Sequence, residues 1–138
     1  MYKKILYAAD GSEHSMRAGD NVFELARLSP NSKVDIIYVV DPKHSKDEVL
    51  SNWGKDAVEV RKEKLALIVQ KAKKSGVNFE VVFLNGDPGP TIVDYANKHN
   101  YDLIVLGSRG LNKFQEMLLG SVSHKVAKRA NSPVLIVK

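Results

Sequence analysis

Five short apolar runs alternate with helix-period segments along this chain, and that alternation constrains the fold more than any other feature. The runs are KKILYAAD (3–10), KVDIIYVVD (33–41), NFEVVFLNG (78–86), DLIVLGS (102–108) and PVLIVK (133–138). Each is rich in Val, Ile, Leu or aromatic residues and ends at turn-forming residues, which is the signature of a strand. DLIVL and PVLIV are continuous rather than alternating, so both faces of those strands are expected to be buried. The segments between them carry apolar residues at helical spacing. In SEHSMRAGDNVFELARLS the side formed by Met16, Ala18, Val22, Phe23, Leu25 and Ala26 is apolar. From about Asp47 to Ser75 the stripe is Val58, Leu65, Ile68, Val69 and Ala72. PTIVDYANKHN sets Pro90 near a helix start and turns Ile92, Val93 and Ala96 inward, and SVSHKVAKRA repeats Val122, Val126 and Ala130 every four residues.

The order is therefore β-α-β-α-β-α-β-α-β. Such alternation predicts a parallel sheet with helices on both faces. With right-handed crossovers and one reversal of winding, it becomes a doubly wound five-stranded sheet in the order 3-2-1-4-5. Residues 1–138 are expected to form one domain, with no repeat and no linker; the segment 41–48, DPKHSKDE, is the expected loop after strand two.

In a sheet of this kind, ligands bind beyond the carboxyl ends of the strands where the winding reverses. Here that point lies between strands one and four. Strand one ends in Ala8-Ala9-Asp10-Gly11-Ser12, and strand four runs into Gly107-Ser108-Arg109-Gly110. The glycine-rich stretch GSRGLNKFQEMLLGS, Gly107 to Ser121, then leads into a helix. A glycine at Gly107 lets a ligand lie against bare backbone, and Gly110 suits a turn of positive φ. Ser121 is the expected N-cap of the helix that follows Gly120. A helix start offers unpaired N–H groups and the positive end of the dipole, which favours phosphate. Ser121 and Ser123 add hydroxyls, while Arg109 and Lys113 add charge. Together these residues predict a site for a polyanion beside a flat apolar body, that is, a nucleotide. The pattern is not a P-loop, because no Gly-Lys-Ser/Thr closes the loop and Lys125 stands a turn into the helix.

The same residues carry a resemblance to a known family. ILYAADGSEHSMRA at the start, LIVLGSRG with LLGSVSHKVAKRANSPVLIVK at the end, and the signature G-x2-G-x9-G-S/T between them resemble the universal stress proteins, in particular their ATP-binding branch. The resemblance spans nearly the whole chain. It implies an α/β sheet, a homodimer and a bound ATP. It implies that Ala9 to Ser12, with Asp10, meet the ribose or the metal-phosphate region. Backbone near Val40 would meet the adenine, and Gly107, Ser108, Arg109 and Gly110, with Gly120, Ser121, Val122 and Ser123, would hold ribose and phosphates. A divalent ion, Mg²⁺ or Mn²⁺, is expected with the phosphates, and Asp10 could sit behind its waters. Ala8-Ala9 stands where that family frequently has Val-Pro or Val-Ala, a change without chemical consequence.

Other chemistries fit less well. A phosphoacceptor receiver domain needs an acidic cluster after strand one and an Asp ending strand three; this chain offers only Asp10, and strand three ends in Asn85-Gly86. Asp87-Pro88 instead suits a helix start. None of His14, His44, His99 and His124 pairs with another at the spacing of a helical zinc site. His99 suits a dipole contact near a helix end, and His124 suits an exposed position. Ser12, Ser108 and Ser121 lie in no nucleophile elbow and have no evident His or Asp partners. Any ATP hydrolysis is therefore expected to be slow, with the nucleotide acting as a signal. A slow ATPase or other nucleotide-handling enzyme in the same pocket is the alternative, and a nucleotide-free dimerising scaffold is a second one. The apolar edge of strand five, residues 133–138, is the expected dimer contact, since pairing would cover it.

Composition agrees with this frame. There are no cysteines, which excludes disulfides and thiolate chemistry and fits a cytoplasmic location. No run approaches a membrane span, and the N-terminus enters a strand pattern at once, so neither membrane nor secretory signal is expected. The net charge of +5 resides largely in lysines interspersed with glutamates, as in VEVRKEK. That is a solvated helix face, so nucleic acid is not an expected partner.

Overall fold

The computed structural model describes residues 2–41, 57–108 and 120–138. Its strands are β1 (Lys4–Ala9), β2 (Lys33–Val40), β3 (Asn78–Asn85), β4 (Leu103–Gly107) and β5 (Val134–Val137). Its helices are α1 (Glu13–Leu28), α2 (Ala57–Ser75), α3 (Pro88–His99) and α4 (Ser121–Arg129). All strand pairs are parallel, in the order β3-β2-β1-β4-β5. The expected doubly wound sheet is the one that forms, and each strand falls within two residues of its apolar run. Of the segment expected as the loop 41–48, only Asp41 is among the described residues; the start of the helix expected from about Asp47 is not.

The sheet separates two apolar layers. On one face Ile5, Tyr7, Ala9, Val34, Ile36 and Tyr38 meet Ala18, Val22, Phe23 and Ala26 of α1 and Ile68 and Ala72 of α2. On the other face Leu6, Ala8, Ile37, Ile104 and Leu106 meet Ile92, Val93 and Ala96 of α3 and Val126 of α4. The residues that supply each layer alternate along β1, as the period of a strand requires. Burying the Val, Leu, Ile and Phe side chains among them contributes about 1.5–3 kcal/mol each. Along β4, Leu103 to Leu106 are buried on both faces, as its continuous apolar run implies. β5 departs from that expectation: its four residues are only half-buried, because it lies at the edge of the sheet with β4 as its one neighbour.

Two polar contacts stabilise the layers. The Tyr7 hydroxyl, buried under α1, donates to the Ser15 carbonyl at 2.6 Å. A Cβ at Gly19 would stand 2.8 Å from that hydroxyl, so the helix comes this close only because position 19 lacks a side chain. Burial drives the Tyr7 phenol well above its usual range, which keeps it a donor. At the amino end of the sheet the Tyr101 hydroxyl donates to the buried Asp35 carboxylate at 2.7 Å, and Lys33 Nζ stands 3.6 Å from its other oxygen. Burial, followed by that carboxylate, raises the Tyr101 phenol far beyond the ordinary range.

Candidate functional site

β1 lies between β2 and β4, so the winding reverses between β1 and β4. The turn after β1 begins at Asp10. Its Oδ1 accepts from the Ser12 N–H at 2.8 Å and from the Ser12 hydroxyl at 2.6 Å, while neither bond falls on Oδ2. Gly11 adopts φ +82, a left-handed conformation that an L side chain rarely takes. Ser12 is the N-cap of α1, accepting from the Ser15 N–H at 3.2 Å, and Ser15 Oγ in turn accepts from the Asp10 N–H at 3.0 Å. Asp10 thus supports the capping residue rather than serving as the cap. Ala9 is buried at the end of β1.

Across the reversal, Ser108 joins the ends of several elements. Its N–H donates to the Val137 carbonyl at 2.7 Å. Its carbonyl accepts from the Gly120 N–H at 2.6 Å and from Ser123 Oγ at 2.9 Å. Its hydroxyl lies 2.9 Å from His14 Nδ1 of α1. The structure therefore brings β4, β5, α1 and α4 together at one buried residue. The His14 partner, remote in sequence, is one that sequence reasoning missed, and Ser108 does have a histidine beside it after all.

Three sequence expectations are corrected here. The N-cap of α4 is Gly120, with extended φ −70 and ψ 166 and no side-chain cap bond; Ser121, expected as the cap, is the first helical residue and is exposed. The cap is set by backbone conformation and by the His124 N–H, which donates to Gly120 O at 3.0 Å. Ser123, expected to offer its hydroxyl to phosphate, is buried and donates to the carbonyls of Ser108 and Gly120 instead, at 2.9 and 3.1 Å. Gly107 owes its missing side chain to packing. A Cβ there would lie 2.8 Å from His14 C, His14 Cβ and Ser15 N, so α1 already fills the space expected to admit a ligand.

What the start of α4 can offer is backbone. The first intrahelical bond belongs to His124, so the N–H groups of Ser121, Val122 and Ser123 precede it and have no intrahelical acceptor among the described residues. Val122 is half-buried against the α3–α4 layer. At the end of β2 the Val40 carbonyl accepts from the Gly86 N–H at 3.0 Å. Asp87 is the N-cap of α3 with Pro88 in the first turn, as its sequence suggested. Lys125 lays its stem over the α3 start at Gly89, and His124 is exposed. Arg109, Gly110 and Lys113 lie outside the described residues, as does His44. Among the described residues no group of three or more His, Cys, Asp or Glu is arranged to hold a metal ion, and no helix is long and apolar enough to cross a membrane.

The model of the universal stress protein family matches residues 1–138. The chain belongs to the universal stress protein family. Among curated relatives, the universal stress protein YxiE of Bacillus subtilis is 36% identical, with both chains covered over 100% of their length. Among solved structures, the Methanocaldococcus jannaschii protein MJ0577 superposes with a TM-score of 0.83 at 35% identity, covering 100% of this chain and 96% of that one. A universal stress protein solved in complex with cAMP superposes with a TM-score of 0.72 at 30% identity, covering 99% of this chain and 97% of that one. The universal stress protein sheet is the one described above, so the family resemblance and the fold agree.

Proposed function

We propose that this universal stress protein binds ATP across the ends of β1 and β4 and acts as a nucleotide-dependent regulatory protein. The observation that carries the reading is the start of α4. Ser108 holds Gly120 and Ser123 in place, and three successive backbone N–H groups of Ser121 to Ser123 stand at the positive end of a helix. Such an arrangement favours phosphate. A universal stress protein similar to this chain has been solved with cAMP, which supports a nucleotide as the occupant.

In this reading Asp10 Oδ1 maintains the turn while Oδ2 accepts from ribose hydroxyls. The end of β2 at Val40 borders the adenine, and the backbone N–H groups of Ser121, Val122 and Ser123 meet the phosphates. Mg²⁺ or Mn²⁺ travels with the phosphates, whose charge it offsets, and Asp10 reaches it through water. A single carboxylate suits that arrangement, since Mg²⁺ keeps several waters and takes few protein ligands. Turnover is slow at most, because the hydroxyls of Ser12 and Ser123 are directed to Asp10 and to main-chain carbonyls rather than to a substrate. The protein acts in the cytoplasm as a single nucleotide-binding domain, and two copies pair through the β5 edge at residues 133–138, which β4 leaves open on one side.

A thermal-shift series tests this reading. With 1 mM Mg·ATP the midpoint is expected to rise by several degrees, as mass action requires of a ligand that binds the folded state alone. Adenosine and inorganic triphosphate are each expected to give less. No shift with ATP across the millimolar range would refute the reading.

A further inference from the structure

Among the described residues, the lysine stem lying over the Asp10 turn takes no part in capping or ion pairing. α2 crosses the turn after β1 and places Lys64 on it. A Cβ at Gly11 would meet Lys64 Cδ at 3.0 Å, Cβ at 3.5 Å and Cγ at 3.8 Å. Only two bonds separate Cδ from Nζ, so the ammonium stays close to Gly11. The Asp10 carboxylate is folded back over the same glycine by its bonds to Ser12. Lys64 is half-buried, and among the described residues it makes no ion pair. The other described lysines in ion pairs have clear partners: Lys33 has Asp35 and Glu80, and Lys71 has Asp20.

An amine whose stem is held over this turn, and which makes no ion pair among the described residues, is suited to a ligand group that carries negative charge. We propose that Lys64 is a phosphate-binding residue of this site, supplying from α2 a cation that meets the nucleotide phosphates over the Asp10–Gly11–Ser12 turn. The inference rests on the nucleotide reading above and adds to it a residue that neither the glycine-rich stretch nor the turn contains. Position 11 owes its glycine to the left-handed backbone, and a Cβ there would also displace the lysine stem by a few tenths of an ångström.

The charge is what distinguishes this role from packing. Lys64→Met retains an unbranched stem over Gly11 and removes the ammonium, whereas Lys64→Arg retains the charge. Affinity for ATP is measured by equilibrium dialysis at excess Mg²⁺, at low and at high salt, with the folded state checked by circular dichroism. Lys64→Met is expected to weaken ATP binding about tenfold at low salt, a gap that narrows at high salt because exposed charge is screened. Lys64→Arg is expected to stay within about threefold of the parent. A Lys64→Met protein that binds ATP within twofold of the parent at low salt would overturn the proposal while leaving the nucleotide reading intact. An equal loss in Lys64→Met and Lys64→Arg would overturn it too, since stem packing and not charge would then be at issue. Absence of ATP binding by the parent would overturn both.

Discussion

Gly107→Ala is expected to destabilise the protein by about 3 kcal/mol, at the upper end of what overpacking costs. The added carbon would stand 2.8 Å from His14 C, His14 Cβ and Ser15 N at once. Two of those atoms are backbone and the third is a Cβ, so no side-chain rotation relieves the contact. α1 would have to withdraw from β4. That movement strains the Tyr7 hydroxyl bond to Ser15, the Ser15 bond to Asp10, and the His14 contact with Ser108. For a chain of this size the midpoint of thermal unfolding should fall by roughly 10 °C. Differential scanning calorimetry checks it, and a midpoint within 2 °C of the parent would mean that α1 does not sit on Gly107 as described.

Asp10 separates architecture from ligand binding. Asp10→Ala removes the acceptor of two bonds from Ser12 and, in the proposed function, the acceptor for ribose hydroxyls. Both stability and ATP affinity should fall, the affinity by about 30-fold, which is about 2 kcal/mol. Asp10→Asn keeps a carbonyl oxygen for Ser12 and puts an amide donor where Oδ2 stood. It should retain nearly all of the parent's stability while still losing about tenfold in affinity, since a neutral amide then replaces the charged acceptor of the ribose hydroxyls. Isothermal titration calorimetry alongside chemical denaturation separates the two effects. Parent-like affinity in Asp10→Asn would remove Asp10 Oδ2 from the site.

Much of the fold was legible because parallel strands buried on both faces must be continuous apolar runs. That made β4 unmistakable in DLIVL, and the reversal of winding located the candidate site at the strand ends that lead into Asp10 and Ser108. Edge position was less legible: PVLIV reads like a central strand, and only its place beyond β4 leaves it half-buried. Capping misled for a local reason. Serine is the better cap by chemistry, yet at α4 the extended backbone of Gly120 decided the boundary. Contacts remote in sequence were not legible at all. His14 and Ser108 are 94 residues apart, and no periodicity relates them. Lys64 reads as one more lysine on a solvated helix until α2 is seen crossing Gly11. Gly107 was singled out correctly as a position needing bare backbone, but the body that occupies the space is α1.

The most direct test follows backbone amides by ¹H–¹⁵N correlation NMR as Mg·ATP is added to the full chain. Saturable shifts are expected that move together at Ser121, Val122 and Ser123 and at Gly11 and Ser12, with the amino-end residues Asp35 and Tyr101 unchanged. Saturable shifts confined to other surfaces, or no shifts at millimolar Mg·ATP, would contradict the proposed site.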